Sequence, residues 1–404
     1  ERQVACNMNH EPWNMLGMRQ SISVGKKWKE YEFYFTALQD DAPDASGQGG
    51  ARITVTNLSQ DDLEVTLSDV SLKKAAIHGL KPGEKLGEVD WIRYRRLARC
   101  TDAVRRDMAR FVRDTEVGYW SDMRRYIQDK LGARMTVTNT AVHFSTPWVA
   151  AESVDFVDCH AYWQHPHFPG EPWDRSNWVI PNKAMVNDPA GSTITKLASR
   201  RVFGLPYTVT EYNHPAPNPY EGEGFPLLSL YGAAQGWRGL FTFTYSNGDQ
   251  WEENHYGTYF DICGHPVKLA VQPACAALLR GGQVRPFEGT AAGRVPLEKR
   301  LKLLATRGPR STDATAGGVD RMAWRDARMG IATDGGTGAP DKTLQGDVDW
   351  TVEDGEGLVT YHGEQAAGLI GFAAGESVSA GGITLEPGGT SLDGFSVVML
   401  NAVD

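Results

Sequence analysis

Between residues 134 and 280 the chain alternates short apolar runs with longer segments of helical period. The runs are Arg134–Asn139, Val154–His160, Pro206–Glu211 and Leu240–Tyr245, and the helical stretches fall near 191–203, 226–237 and 266–280. Near-continuous apolar strands separated by helices are buried on both faces, the signature of a parallel sheet with helices packed against it. Each run ends at its carboxyl side in polar or aromatic residues: Asn139, His160 with Tyr162, Glu211, and Tyr245, each followed by a loop rich in proline or glycine. Those are the strand ends where α/β folds carry their sites. No glycine-rich phosphate loop opens any of the helices, which counts against a doubly wound nucleotide-binding sheet.

The flanks have other rhythms. In residues 1–75, Tyr31, Phe33 and Phe35 alternate with polar neighbours, as do Ile53 with Val55 and Leu63, Val65 and Leu67; a β-sandwich is expected there, opening on a strand through Arg2–Asn9. After a linker around Gly79 to Gly87, apolar residues at Val104, Met108, Phe111, Tyr119, Met123, Tyr126 and Ile127 recur every three or four positions up to Leu131-Gly132, predicting a long amphipathic helix with a glycine stop. Beyond residue 290 short strands between glycine turns are expected at Trp350–Val352, Leu358–Tyr361, Gly368–Phe372, Ile383–Leu385 and Phe395–Leu400, with residues 306–345 a loosely ordered connector. The expected domains are therefore 1–75, 76–290 and 291–404, the first and last being β-sandwiches.

A net charge of −9, spread along the chain, argues against nucleic acid or an anionic membrane as partner. No apolar run is long enough for a membrane helix. The five cysteines, Cys6, Cys100, Cys159, Cys263 and Cys275, are far apart and form no Cys-x-x-Cys pair, so they read as buried thiols rather than a zinc site or a disulfide framework. The 12 tryptophans and 14 tyrosines suit a neutral ligand, since flat aromatic faces pack on the apolar C–H faces of sugars.

The chemistry centres on Tyr207-Thr-Val-Thr-Glu211-Tyr-Asn-His214, which sets a lone carboxylate where an apolar strand meets its loop. A desolvated carboxylate needs either a partner or a function. On the preceding strand, Asp158-Cys-His160-Ala-Tyr162-Trp163, alternation puts His160 and Tyr162 on one face, able to hold a carboxylate ionised and oriented. Trp163, His165, Asn213, His214, Tyr245, Trp251 and Asn139 are candidates to line a ligand site. The trio His160, His165 and His167 matches no metal-ligand spacing, and neither metal nor cofactor is expected.

A Thr-Glu-Tyr strand end that follows a His-x-Tyr strand end and precedes an aromatic strand, Phe241-Thr-Phe-Thr-Tyr245, resembles strands six, seven and eight of the clan A glycoside hydrolases. Asp158–Pro166, Val186–Pro189, Thr210–Asn218 and Phe260–Pro266 look like the multidomain bacterial members of that clan that carry an internal carbohydrate-binding module, over about residues 100 to 285. Trp28–Tyr31 and Leu67–Leu72 resemble the second half of such a module. The resemblance implies strands five to eight of a (β/α)8 TIM barrel, with Glu211 as the nucleophile of a retaining enzyme and His160 and Tyr162 orienting it. An aromatic-rich cleft together with a binding module suggests a β-linked poly- or oligosaccharide such as a glucan, mannan or galactan as substrate, and the resemblance implies a secreted or periplasmic location.

Retaining enzymes use a second carboxylate about 5 Å from the nucleophile. In the clan it follows an asparagine on strand four, and this sequence has no Asn-Glu dipeptide; Glu116 lies in the amphipathic helix and Glu152 at the wrong end of a strand. Four βα units make half a barrel, so the missing half, the acid/base and the first part of the module are expected on an N-terminal half of the same enzyme as a second chain. A rival expectation is a non-catalytic carbohydrate-binding or scaffold subunit, and a third an inactive remnant.

Overall fold

The computed structural model describes residues 2–10, 14–35, 37, 50–56, 58, 64–73, 99–139, 146–248, 251–252, 254–255, 257–308, 311–333, 347–390 and 392–402, with isolated positions between 80 and 97. Leu63 and Gly79 lie outside the described residues. The chain divides into two compact units, 1–113 with 297–308, and 114–296 with 309–404. The carboxy-terminal strands fall in the same unit as the parallel ones.

In the first unit, β1 (Arg2–His10), β2 (Asn14–Val24) and β3 (Arg52–Thr56) form an antiparallel sheet in the order β2-β1-β3, with Val4, Leu16 and Met18 buried. The alternating segments around Tyr31–Phe35 and Val65–Leu67 form no strand. Alternation assigns faces to a strand, but only a hydrogen-bonding neighbour makes one. The long helix is present as α1 (Asp102–Arg125), whose residues 102–113 belong to the first unit and 114–125 to the second; it is prolonged by a π-helical turn at Tyr126–Lys130 and stopped before Gly132, whose φ of +66° suits glycine.

The second unit contains α2 (Pro147–Ser153), β4 (Val157–Tyr162), α3 (Thr193–Ala198), β5 (Tyr207–Asn213), α4 (Gly224–Gln235), β6 (Gly239–Thr242), α5 (Pro266–Arg280) and β7 (Thr290–Gly293). Helix starts follow local chemistry: Thr146, Ser192 and His265 accept from the backbone N–H three residues on at α2, α3 and α5, and Pro147 and Pro266 fill the first turn. Gly236, at φ +69°, closes α4.

Strands β4, β5 and β6 pair in parallel, in that order. The run Arg134–Asn139 is not a fourth strand. It lies beside the entry to β4, with Val137 exchanging hydrogen bonds with Asp155 through its N–H and its carbonyl. No closed barrel forms among the described residues, where the parallel sheet has three strands and free edges at β4 and β6.

After α6 (Leu297–Arg307), which belongs to the first unit, comes β8 (Arg328–Ile331), parallel to β7. The expected loose connector is thus structured over 311–333, where Trp324 is fully buried. The last strands are β9 (Val348–Glu353), β10 (Glu356–His362), β11 (Ala366–Phe372), β12 (Val378–Ala380), β13 (Ile383–Leu385) and β14 (Phe395–Asn401). Four form an antiparallel sheet, β14-β11-β10-β9, and β12 pairs with β13.

Helix α4 is buried around its whole circumference, as an apolar helix must be when it has neighbours on every side. Tyr231 from α4 meets Trp324 and Trp350 with ring centroids 4.9 and 5.7 Å away, and the Trp350 indole N–H donates to the Val186 carbonyl at 2.8 Å. These contacts tie the antiparallel sheet to α4 and to the segment between β4 and α3. All five cysteines are free thiols.

Candidate active site

Strands β4 and β5 run in register as far as Cys159 opposite Val209, after which His160 pairs with Glu211 and Thr210 is the extra residue of a bulge. Strict alternation would have sent Thr208, Thr210 and Tyr212 to one face. The bulge resets the phase, so that Thr208, Thr210 and Glu211 share a face with Asp158, His160 and Tyr162 while Val209 and Tyr212 are buried on the other. On that opposite face the Tyr212 hydroxyl meets Thr193 of α3 at 2.9 Å.

Glu211 is the half-buried centre of the shared face. The Tyr162 hydroxyl donates to its Oε2 at 2.6 Å, and the His160 Nδ1 lies 3.3 Å from the same oxygen. Among the described residues no side chain takes Oε1. Burial and the adjacent Glu211 carboxylate raise the Tyr162 phenol well above its ordinary range, so it stays a donor at any physiological pH. Burial alone would depress His160, but its hydrogen bond to Asp158 and the charges of Glu211 and Asp158 outweigh it and hold the ring above the usual histidine range. The Tyr162 ring is fixed by Phe243 and Phe260 at 6.0 and 4.8 Å and by His165 at 5.8 Å.

Asp158, absent from the sequence-derived site, lies behind this pair. It accepts from the Thr208 hydroxyl at 2.6 Å, from the Thr210 N–H at 3.1 Å and from the Thr210 hydroxyl at 2.6 Å. The signal was available, since Asp158, His160 and Tyr162 are successive same-face positions of one strand.

The remaining expected residues divide into two groups. His165 is exposed beside Tyr162, and Tyr245 and Trp251 are exposed with ring centroids 6.0 Å apart, as a stacking surface requires. Asn139, Asn213, His214 and Trp163, also expected to line a ligand site, are buried. The Asn213 amide donates to the Phe260 and Phe243 carbonyls, and its oxygen accepts from Lys268 at 3.1 Å. His214 bonds the Tyr212 hydroxyl at 3.0 Å, and Gly224 makes room for it, since a Cβ there would lie 2.6 Å from the imidazole. The Trp163 indole donates to the Lys183 carbonyl at 2.9 Å, and its ring forms part of a separate cavity of about 370 Å³ with Lys183, Asn187, Asp188 and Tyr220.

Behind the end of β5 runs a polar network that sequence reasoning missed entirely. Lys268 of α5, 1% exposed, pairs with Glu221 at 3.0 Å, and Glu221 also meets His265. Glu223, wholly buried, accepts from the Met185 and Val186 N–H groups, with His214 Nδ1 3.8 Å away. Burial pushes Glu223 up to about 8 against those two hydrogen bonds. No single residue in Tyr220-Glu-Gly-Glu223 announces this, because a carboxylate next to a glycine reads as loop.

Among the described residues no group of three or more His, Cys, Asp or Glu side chains is arranged to hold a metal ion, and no helix is long and apolar enough to cross a membrane. Comparison of the chain with protein-family models, with curated proteins and with solved structures gave no match in any of the three.

Proposed function

We propose that this chain carries the nucleophile of a retaining β-glycosidase acting on a β-linked poly- or oligosaccharide of glucan, mannan or galactan type. The observation that carries the reading is the Glu211 carboxylate at the carboxyl end of the central parallel strand. One oxygen is held by Tyr162 and His160 on one face of the sheet, and the other has no side-chain partner among the described residues. A carboxylate held by one oxygen is oriented without being neutralised, which is what attack on an anomeric carbon requires. Exposed Tyr245 and Trp251 supply stacking faces nearby in sequence, beyond β6.

In this mechanism Glu211 forms a bond to the anomeric carbon as the bond to the leaving oxygen breaks, and water then releases the sugar with a second carboxylate acting first as acid and then as base. Asp158 cannot be that second group, being buried and bonded on both oxygens. The edges of β4 and β6, open among the described residues, suit a complement bearing the first half of a barrel, and the acid/base is assigned to it, on a second chain.

The test is intact mass and peptide mapping after reaction with activated aryl 2-deoxy-2-fluoro-β-glycosides of the gluco, manno and galacto series. These need little acid assistance, so a sugar should attach to Glu211 even without the second carboxylate, and Glu211→Gln should abolish it. Oligosaccharide binding that survives Glu211→Gln, with no probe ever attached, would instead mark a non-catalytic binding subunit.

A further inference from the structure

The His160 ring stands between two carboxylates, each facing one of its nitrogens. Nε2 lies 3.0 Å from Asp158 Oδ2 and 2.9 Å from the Thr210 hydroxyl, and Nδ1 lies 3.3 Å from Glu211 Oε2. The direction of every proton on the Asp158 side follows from the donors. Thr210 gives its hydroxyl proton to Asp158 Oδ2, so its oxygen can only accept from the imidazole, and Asp158 itself has only lone pairs to offer. Nε2 therefore carries a proton whatever the charge of the ring.

That leaves one question, the state of Nδ1. A neutral ring with its proton on Nε2 would leave the Nδ1 lone pair 3.3 Å from Glu211 Oε2, an oxygen that already accepts from Tyr162 and that, as the carboxylate of the nucleophile, offers only lone pairs. Only a second proton on the ring makes the contact attractive. Among the described residues the titratable groups facing His160 are Asp158 and Tyr162 of its own strand and Glu211 of β5, and the two charges acting on it there are both negative.

We propose that Asp158 is a positioning residue that keeps His160 protonated on both nitrogens, so that a cationic imidazole bridges Asp158 and Glu211 and holds the nucleophile in place. The assignment rests on the reading of Glu211 as the nucleophile. Thr208 and Thr210 act as clamps that keep Asp158 an acceptor on both oxygens, and the bulge at Thr210 is what brings the three charged groups onto one face. The resting site then holds two negative charges and one positive. When Glu211 becomes an ester its charge is removed, and one cation remains paired with one carboxylate. The active form is thus lost on the alkaline side as His160 gives up its second proton.

Two measurements on the chain of residues 1–404 decide the matter. The first is nitrogen NMR of the unmodified protein with labelled histidine, the His160 signals being assigned by their loss in His160→Gln. Two protonated-type ring nitrogens that persist to higher pH than in a free histidine are expected; one protonated and one bare nitrogen at neutral pH would overturn the proposal. The second is the pH dependence of probe attachment to Glu211 in the unmodified protein and in Asp158→Asn. The alkaline limb should move to lower pH in the variant, with attachment at mildly alkaline pH slowed by about 10- to 100-fold, the range set by loss of a hydrogen bond to a charged group. An unchanged limb in folded Asp158→Asn refutes the positioning role, and should that variant not fold, the NMR of the unmodified protein decides alone. Failure of every probe to attach, with a cationic His160 seen by NMR, would reject the nucleophile and leave the bridged imidazole standing.

Discussion

Replacing Glu223 by Gln should destabilise the protein at mildly acid pH and stabilise it at mildly alkaline pH. Glu223 is wholly buried, with its side-chain oxygens facing the Met185 and Val186 N–H groups, and burial raises it from 4.5 to about 8. A group whose folded-state value is raised keeps its proton in the native protein while the unfolded chain releases it, so its stabilising effect is full below the unfolded value and lost up to the folded one. Each pH unit across that window costs about 1.4 kcal/mol, so going from about pH 5 to about pH 7.5 removes about 3 kcal/mol through this residue alone. Gln is neutral throughout but has a single acceptor for two N–H donors, a loss of about 1 kcal/mol. Urea unfolding followed by tryptophan fluorescence should therefore find Glu223→Gln less stable than the unmodified protein by about 1 kcal/mol near pH 5, and more stable by about 2 kcal/mol near pH 7.5. A stability difference that stays constant across that range would show that the two backbone donors keep Glu223 ionised, and would refute the reasoning.

Tyr162→Phe keeps the ring packed on Phe243 and Phe260 and deletes only the donor to Glu211, so probe attachment should slow by about 10- to 100-fold with the melting temperature unchanged; an unaltered rate would remove Tyr162 from the mechanism. Lys268→Met leaves the Glu221 carboxylate without its cation and Asn213 without its donor, and thermal unfolding should register a loss of about 3–5 kcal/mol, a loss under about 1 kcal/mol refuting the structural role. Trp251→Ala removes one of the two exposed rings beyond β6, and oligosaccharide affinity measured by calorimetry should weaken by about tenfold, whereas unchanged affinity would place the stacking surface elsewhere.

Much of the second unit was legible before any coordinates. The apolar runs at Val154–His160, Pro206–Glu211 and Leu240–Tyr245 became β4, β5 and β6, and the last helical stretch became α5 over the same residues, 266–280. The contact of His160 and Tyr162 with Glu211 follows from period-two alternation on β4, which is local and depends only on the chain being extended. The glycine-bounded strands from residue 348 onward were legible for the same reason.

What local pattern could not supply was pairing and depth. Tyr31–Phe35 alternates as well as Arg52–Thr56 does, yet only the latter has a neighbouring strand at β1. Arg134–Asn139 is apolar enough for a strand but engages β4 only at its entry. Asn213 and His214 sit two and three residues past Glu211, where sequence suggests a ligand; the fold turns them inward, onto Lys268 more than 50 positions later and onto the space left by Gly224. The phase of the face that carries Glu211 was decided by a single extra residue at Thr210, which exists only as a mismatch between two strands. The sequence by itself determined which residues can be strand and which face each would take, because those depend on neighbours two to four positions away. Only the tertiary structure decided which strands pair, which polar groups are buried and that Asp158, His160 and Glu211 line up, because those energies arise between residues that meet after the chain has folded.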